Sequence, residues 1–178
     1  MIKLLTTLSV SLVLLVGCCD RQAQANTKLQ EMDDFHWIAQ QARADNIPIM
    51  IMFTAAHCEF CHILTDSVLD PMILGGLYDG YAMYMRKVST DRHRYIKFNE
   101  NETIGKRQFA RMYNADITPS VIFVNANGIP VAEPLIGVMD SQLYAGLIHQ
   151  RLNQAYERMG NPMRLPVSPE DMRRPLLN

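Results

Sequence analysis

The sequence contains little cysteine and almost no net charge, and both shortages limit what the protein can be. Four of its 178 residues are cysteine, and 17 lysine and arginine residues nearly balance 18 acidic ones, for a net charge of −1. A near-neutral chain gives no general electrostatic reason to bind nucleic acid. No phosphate-binding loop, Ser-His-Asp pattern or internal repeat is present either. Because 48% of the residues are apolar, the chain can still bury the core of one ordinary domain.

The N-terminal residues predict export. Lys3 precedes an apolar run, residues 4–16, which has the length of a signal-peptide core and is short for a membrane-spanning helix. The run ends in Leu15-Val16-Gly17-Cys18, which resembles the bacterial lipobox, the motif whose cysteine is acylated and becomes the mature N-terminus. We therefore expect residues 1–18 to be a signal peptide of lipoprotein type, with Cys18 as the lipidated residue.

Residues 19–32 are interpreted as a tether between this signal and the folded domain. A competing cleavage site follows Ala23-Gln24-Ala25, the small-x-small pattern of ordinary signal peptidase, and an uncleaved anchor is a third alternative. All three alternatives export the domain. We expect a periplasmic protein that a lipid anchor holds at the membrane.

Cys58 and Cys61 are the two cysteines that remain for the folded domain. They follow an apolar run, residues 47–53, which is typical of a buried strand, and they open a helical pattern over 58–69. At a helix start, free backbone N–H groups and the helix dipole stabilise a thiolate on the first cysteine. A pair three residues apart can close a small disulfide but cannot staple a large loop. The spacing therefore predicts a redox site rather than a structural disulfide framework.

Hydrophobic periodicity predicts a mixed α/β domain over residues 33–159. The βαβ part should be parallel, and a final hairpin should run antiparallel to it. Expected helices cover 34–45, 58–69, a segment restarting at 70–71, 103–113 and 141–159; expected strands cover 48–53, 81–88, 121–124 and 131–136, with a turn at 125–128. Residues 160–178 are rich in proline and arginine, lack periodicity and are expected to form a disordered tail.

The polar segment 89–101 carries or adjoins an unusual number of basic residues. It is interpreted as a solvated loop, with a docking patch for an acidic partner as the alternative. The basic residues are Arg86, Lys87, Arg92, Arg94 and Lys97.

This order of elements resembles the thioredoxin fold, a central mixed β-sheet flanked by helices. The resemblance rests on the CxxC pair at the first helix after a central strand, and on Thr118-Pro119 before the next-to-last strand. It implies that Cys58 is the nucleophile, that Cys61 is the resolving cysteine, and that Pro119 is a cis-proline facing the disulfide. It also implies that Thr118-Pro119 offers backbone groups to a substrate chain. Within the family the chain is similar to exported SoxW-type thioredoxin-related proteins and to the C-terminal domain of the reductant DsbD.

The residues around the cysteines depart from the thioredoxin pattern. The motif reads His57-Cys58-Glu59-Phe60-Cys61-His62, without the glycine and proline of thioredoxin. Met52 stands where thioredoxin has a buried acid, so His62 or water is expected to handle the proton of Cys61. A protonated His57 or His62 would stabilise the thiolate and Glu59 would oppose it, which leaves the redox direction open.

Two other interpretations of the same motif involve a bound group. Cys58 to His62 forms CxxCH, the attachment motif of c-type haem, although cytochromes c are mostly helical. His57, Cys58, Cys61 and His62 also resemble a ligand set for copper or zinc, although a helix start keeps the first and last of these apart. We expect the site to contain neither a metal nor a cofactor.

The expected function is that of an exported thiol–disulfide oxidoreductase, most simply a protein-disulfide reductase. Its partners would be a protein disulfide substrate and a membrane or periplasmic thiol that supplies electrons, without nucleic acid. An oxidase or isomerase on the same fold is the first alternative. A non-enzymatic protein that binds a metal or a partner is the second.

Overall fold

The computed structural model describes residues 27–92, 94–138 and 140–173. The expected signal peptide, Cys18 and the first part of the expected tether lie outside these residues.

Short strands and helices alternate along the described chain. In order they are β1 (Gln30–Glu31), α1 (Phe35–Asp45), β2 (Ile49–Thr54), α2 (Glu59–Leu64), a π-helical turn (Thr65–Leu69), α3 (Asp70–Leu74), β3 (Tyr84–Ser89), β4 (Tyr95–Lys97), β5 (Thr103–Gly105), α4 (Lys106–Met112), β6 (Ser120–Val124), β7 (Leu135–Ile136), α5 (Ser141–Met159) and a 3-10 turn (Pro169–Asp171).

Five of these strands form one mixed sheet in the order β1-β3-β2-β6-β7. Strands β1, β3 and β2 are parallel, whereas β6 is antiparallel to β2 and β7 is antiparallel to β6. The helical segment between β2 and β3 makes the parallel crossover that the sequence predicted. The expected α/β class, with a central mixed sheet flanked by helices, is therefore confirmed.

Strand β2 lies at the centre of the sheet and is buried on both faces. Met50 and Met52 belong to the core that packs beneath α2, α3 and α5. Ile49, Ile51 and Phe53 point to the opposite core, which contains α1, α4 and the β4–β5 hairpin. Since side chains alternate along a strand, an apolar run without a polar interval is what a strand between two helical layers requires. Met52 therefore lies on the same side of the sheet as the two cysteines.

The long helices begin and end at capping residues. Asp34 accepts a hydrogen bond from the backbone N–H of Trp37 at 2.7 Å, and Asn46 ends α1 in the left-handed conformation. Asp140 caps α5 in the same way, and Gly160 ends it. The predicted bounds of these two helices are accordingly close to those observed.

The helix after the cysteines runs further than the sequence indicated. A new helix was expected to start at 70–71, but the backbone of Asp70 is already helical, and its N–H bonds to the carbonyl of Thr65, five residues earlier. This wider π turn carries the chain from α2 into α3 without a break, and Pro71 sits at the start of α3.

The predicted helix over 103–113 and the predicted loop over 89–101 both need correction. Ile104 pairs with Ile96 across the β4–β5 hairpin, so the helix begins only at Lys106. Met112, the last residue of this helix, is half exposed. The final strand is also shorter than predicted, since β7 covers two residues; Pro134, which lacks an N–H, immediately precedes it.

Both ends of the predicted domain extend further than expected. The tether interpretation is wrong for its last residues, because Leu29 and Met32 are buried and β1 pairs with β3. The disordered-tail interpretation is wrong for residues 160–173, where Leu165 and Met172 are buried against α5 and its neighbours. Asn153 fixes this segment through two hydrogen bonds with the backbone of Leu165. Among the residues described, no helix combines the length and apolar character needed to cross a membrane.

Candidate active site

Cys58 and Cys61 form a disulfide at the start of α2. Cys58 is the N-cap, and its sulfur accepts a hydrogen bond from the backbone N–H of Cys61 at 3.2 Å. Its carbonyl also accepts bonds from the backbone N–H groups of Cys61 and His62. Cys58 is 9% exposed and Cys61 is 2% exposed, so an incoming sulfur reaches Cys58 more easily. The two cysteines thus take the positions of an attacking and a resolving thiol.

The loop that contains Pro119 lies at the same end of the sheet as the disulfide. The Thr118–Pro119 peptide bond is cis, the isomer that the resemblance implied. Ser120, the next residue, pairs with Phe53 near the end of β2, and β2 leads directly to the cysteine loop. Pro119 itself is buried, and its carbonyl accepts a bond from the backbone N–H of Gly137.

Thr118 leaves backbone groups open at this edge. Its N–H and carbonyl bond to no other residue that the structure describes. Ile117 beside it is 63% exposed, and Phe60 between the cysteines is 58% exposed. An extended segment of another chain could therefore form backbone hydrogen bonds next to the disulfide and contact apolar side chains there.

The charged residues around the pair are on the surface. His57, Glu59 and His62 are all exposed. His62 borders a cavity that opens beside Cys61. The structure thus brings together the two cysteines, the Thr118–Pro119 loop and His62, while His57 and Glu59 remain solvated neighbours.

The cavity beside Cys61 is about 160 Å³ in volume. Met52 lies under the cysteine helix, where the Thr65 hydroxyl is 3.7 Å from its sulfur. The ionisable residues around the cavity come from three parts of the chain: Lys28, His62, Asp66, Asp70 and Lys87. A polar cavity at the resolving cysteine thus replaces the single buried acid that the resemblance led us to look for.

The sequence matches the thioredoxin-like domain family over residues 36–151, which is more than half of the chain. The chain belongs to the thioredoxin-like family.

This chain is also similar to several solved structures. A thioredoxin-fold protein from Helicobacter pylori is 11% identical and has a TM-score of 0.54, with 78% of this chain and 93% of that chain covered. An oxidoreductase named DsbH is 16% identical with a TM-score of 0.51, covering 72% of this chain and 87% of that one. Oxidised thioredoxin O2 from Arabidopsis thaliana is 19% identical with a TM-score of 0.47 and covers 70% and 94% of the two chains. No curated protein sequence matches this chain significantly.

A thioredoxin-like fold with a CxxC-spaced pair supports thiol–disulfide exchange as its general chemistry. The c-type haem interpretation required a mostly helical protein, whereas the described residues contain seven strands. Within the same residues, no group of three or more His, Cys, Asp or Glu side chains is arranged to hold a metal ion.

Three residues of the thioredoxin-like site were missed at the sequence level. Asp91 accepts a hydrogen bond from the backbone N–H of Ala56 at 2.8 Å, which fixes the loop before Cys58. Asp70 and Lys87 reach the Cys61 cavity from α3 and β3. The register of β3 against β2 places Lys87 opposite Met52, a long-range pairing that local patterns do not reveal.

The basic residues of the predicted patch do not share one surface role. Arg86 pairs with Asp79 at 3.1 Å, and Lys87 faces the cavity instead. Arg92 and Arg94 border a different pocket, described below. The basic residues around segment 89–101 therefore do not form the single docking patch that the sequence suggested as an alternative.

Proposed function

We propose that this thioredoxin-like protein is exported to the periplasm, held at the membrane by a lipid on Cys18, and reduces protein disulfides there. The observation that carries the reductase chemistry is the position of Cys58. It caps a helix and receives the Cys61 N–H on its sulfur, and the loop that contains Thr118 lies at the same end of the sheet. The signal sequence supports export, and the lipobox-like motif supports the anchor.

The reaction begins with the reduced protein. The Cys58 thiolate attacks one sulfur of a substrate disulfide, so a Cys58–substrate S–S bond forms and the substrate's own S–S bond breaks. The departing substrate thiolate takes up a proton from water. The N–H that points at the Cys58 sulfur and the helix start favour the thiolate form that this step needs.

The second step regenerates the disulfide seen here. Cys61 loses its proton, attacks the Cys58 sulfur and displaces the second substrate thiolate, which is then protonated. The cavity beside Cys61 supports a proton route through water to His62 or to the nearby carboxylates of Asp66 and Asp70. Two electrons and two protons have then passed to the substrate, and a thiol donor must reduce Cys58–Cys61 before the next cycle.

Trapping the mixed disulfide tests this proposal. The Cys61→Ser variant should accumulate disulfide-linked complexes through Cys58, because the resolving thiol is missing. Cys58→Ser should form none and should lose the ability to reduce insulin. Both variants should carry Cys18→Ser and Cys19→Ser so that no other thiol contributes. If Cys58→Ser reduces insulin as well as the parent protein, the proposed chemistry is wrong.

The reduction potential decides between a reductase and the oxidase or isomerase alternative. A value near about −270 mV matches a reductant of the thioredoxin kind, and a value near about −120 mV matches an oxidant. Equilibration with glutathione followed by quantification of the two thiols gives this value directly.

Location and anchoring need a separate experiment. Cells that express the full chain should incorporate a labelled fatty acid into it, and Cys18→Ala should abolish the label. Mass spectrometry of the mature N-terminus distinguishes cleavage before Cys18 from cleavage before Asn26. A mature chain beginning at Asn26 would overturn the lipid anchor while leaving export intact.

A further inference from the structure

A pocket of about 150 Å³ is lined by Arg92, Arg94 and Arg107. We call it the arginine pocket. Tyr95 and Lys106 also contribute to its wall. The two loop arginines come from the segment between β3 and β4, whereas Arg107 lies in the first turn of α4. The fold thus brings Arg107 together with two arginines of a loop that precedes it in sequence.

None of these three guanidinium groups has an acidic partner. Within the described parts of the chain, no carboxylate lies at ion-pair distance from any of them. The contrast is with Arg86 and Arg158, which pair with Asp79 and Glu133. Exposed arginines that share a pocket without a counter-charge create a local positive potential, which favours anions.

The fourth cation of the pocket is already neutralised. The Lys106 ammonium is fully buried and lies 2.7 Å from a Glu31 oxygen and 2.6 Å from an Asp33 oxygen. Its role is to hold β1 and the start of α4 together. The arginine side chains are therefore the groups that remain available to a ligand.

Hydrogen bonds connect the arginine pocket to the redox loop. Asp91, next to Arg92, receives the backbone N–H of Ala56, which lies two residues before Cys58. Thr90 donates its backbone N–H to the Thr54 carbonyl at 2.9 Å. The carboxylate of Asp91 is occupied by its backbone contact and faces the redox loop.

We propose that the arginine pocket binds carboxylate side chains of the protein whose disulfide Cys58 attacks. An acidic residue a few positions from the substrate cysteine would then be held while its sulfur meets Cys58. Guanidinium groups suit carboxylates because they donate two parallel hydrogen bonds. This inference rests on the proposed function, since it specifies which disulfides that same site prefers.

Matched peptide disulfides test it. Each peptide carries one cysteine as a mixed disulfide with 2-thiopyridine, and the two differ only in glutamates against glutamines a few residues from the cysteine. Attack by Cys58 joins its sulfur to the peptide sulfur and releases pyridine-2-thione, whose absorbance gives the rate. The full chain is used with Cys61→Ser, so the product persists, and with Cys18→Ser and Cys19→Ser, so that Cys58 alone reacts.

The acidic peptide should react about five to ten times faster at low salt, because opposite charges accelerate encounter. Its advantage should shrink between about 20 mM and about 500 mM salt. The combined Arg92→Gln, Arg94→Gln and Arg107→Gln variant should treat both peptides alike. Arg158→Gln removes a surface arginine on α5 and should keep the preference.

Equal rates for the two peptides in the unmodified pocket would overturn the inference, as would a preference that survives in the triple variant. A pocket that serves a small free anion would give equal peptide rates while binding inorganic phosphate, which also counts against the inference. Failure of the proposed function is recognised separately, since Cys58→Ser would then reduce insulin as well as the parent protein whatever the two peptide rates are.

Discussion

The carboxylate of Asp70 accepts a hydrogen bond from the backbone N–H of Leu29 at 2.8 Å, although 41 residues separate them. This contact joins the segment that leads into β1 to the helix that follows the cysteines. Asp70 also borders the Cys61 cavity. One side chain therefore fixes the N-terminal edge of the sheet and closes part of the redox site.

Asp70→Ala should lower the free energy of unfolding by about 1–2 kcal/mol, because a partly buried N–H loses a charged acceptor. Urea denaturation gives the stability, and hydrogen exchange of Leu29 and of β1 should speed up. Asp66→Ala removes a carboxylate from the same cavity without breaking this bond and is the matched control. Equal effects of the two changes would show that the Leu29 contact is unimportant.

Lys106→Met should be more damaging. The ammonium is fully buried between Glu31 and Asp33, so its loss leaves two carboxylates without their cation, and a cost on the order of 3 kcal/mol is expected. Lys97→Met, on an exposed position of β4, should change the stability little. Thermal or urea unfolding measures both. A Lys106→Met protein as stable as the parent would mean that Glu31 and Asp33 gain nothing from this cation.

Two glycines should respond in opposite ways to alanine. Gly128 has a φ of 74°, and a Cβ there would lie 3.1 Å from the Tyr113 hydroxyl, so Gly128→Ala should destabilise the fold by about 1 kcal/mol or more. Gly146 lies inside α5, where the nearest atom to a new Cβ is at 3.8 Å. Gly146→Ala should stabilise by about 0.5–1 kcal/mol. Denaturation midpoints measure the change in stability of each variant. Changes of the same sign in Gly128→Ala and Gly146→Ala would contradict the argument.

His149 should make the stability depend on pH. Burial lowers its pKa from the ordinary 6.5, against raising contributions from the Pro166 carbonyl and the charge of Glu170. Its Nδ1 lies 2.7 Å from the Pro166 carbonyl, and its Nε2 lies 2.8 Å from the Tyr78 hydroxyl. In the neutral ring Nδ1–H donates to Pro166, and Nε2 accepts from Tyr78.

In the unfolded chain His149 binds a proton at its ordinary pKa. In the folded chain its pKa is lower, so protonation requires a lower pH. The contribution of His149 is therefore complete above about pH 6.5 and is lost as the pH falls from there to the lower folded pKa. Urea denaturation between about pH 8 and about pH 5 should show this loss. His149→Leu should flatten the profile, whereas His57→Gln, at an exposed position, should retain it. If His149→Leu leaves the dependence of stability on pH unchanged, another group causes it.

Phe60→Ser should affect activity without affecting the fold. The side chain is 58% exposed, so stability should change by less than about 0.5 kcal/mol. Loss of an apolar contact worth about 1 kcal/mol would slow insulin reduction about fivefold. Leu74→Ser, 70% exposed in α3, provides a control for simple loss of surface hydrophobicity. If both variants reduce insulin at the parent rate, Phe60 does not contact the substrate.

The sequence predicted the chemical centre well because its signals are local. Cys58 and Cys61 show their spacing directly, the strand before them is a continuous apolar run, and α5 has both its caps in the sequence. The helix predicted after Cys58 is also present, although the π turn continues it through Pro71. In each case the residues that decide the structure are neighbours in the chain.

The missed features depend on partners far away in sequence. Strands β1 and β5 are two and three residues long, too short for periodicity, and exist because β3 and β4 pair with them. Lys106 is a charged residue that only the folded chain surrounds with Glu31 and Asp33. The arginine pocket likewise forms by the approach of a loop and a helix. Such features require the tertiary structure.

The bond between Leu29 and Asp70 also limits how far the active site can lie from the proposed lipid anchor. If Cys18 carries the proposed lipid, the eleven residues from 19 to 29 limit the distance from Cys18 to Leu29 to about 38 Å, at ~3.5 Å per residue. A bilayer with its headgroups is about 40–45 Å thick. The redox centre would thus sweep a shallow layer above the membrane, and disulfides presented within that layer would meet it at a far higher local concentration than disulfides diffusing elsewhere in the periplasm.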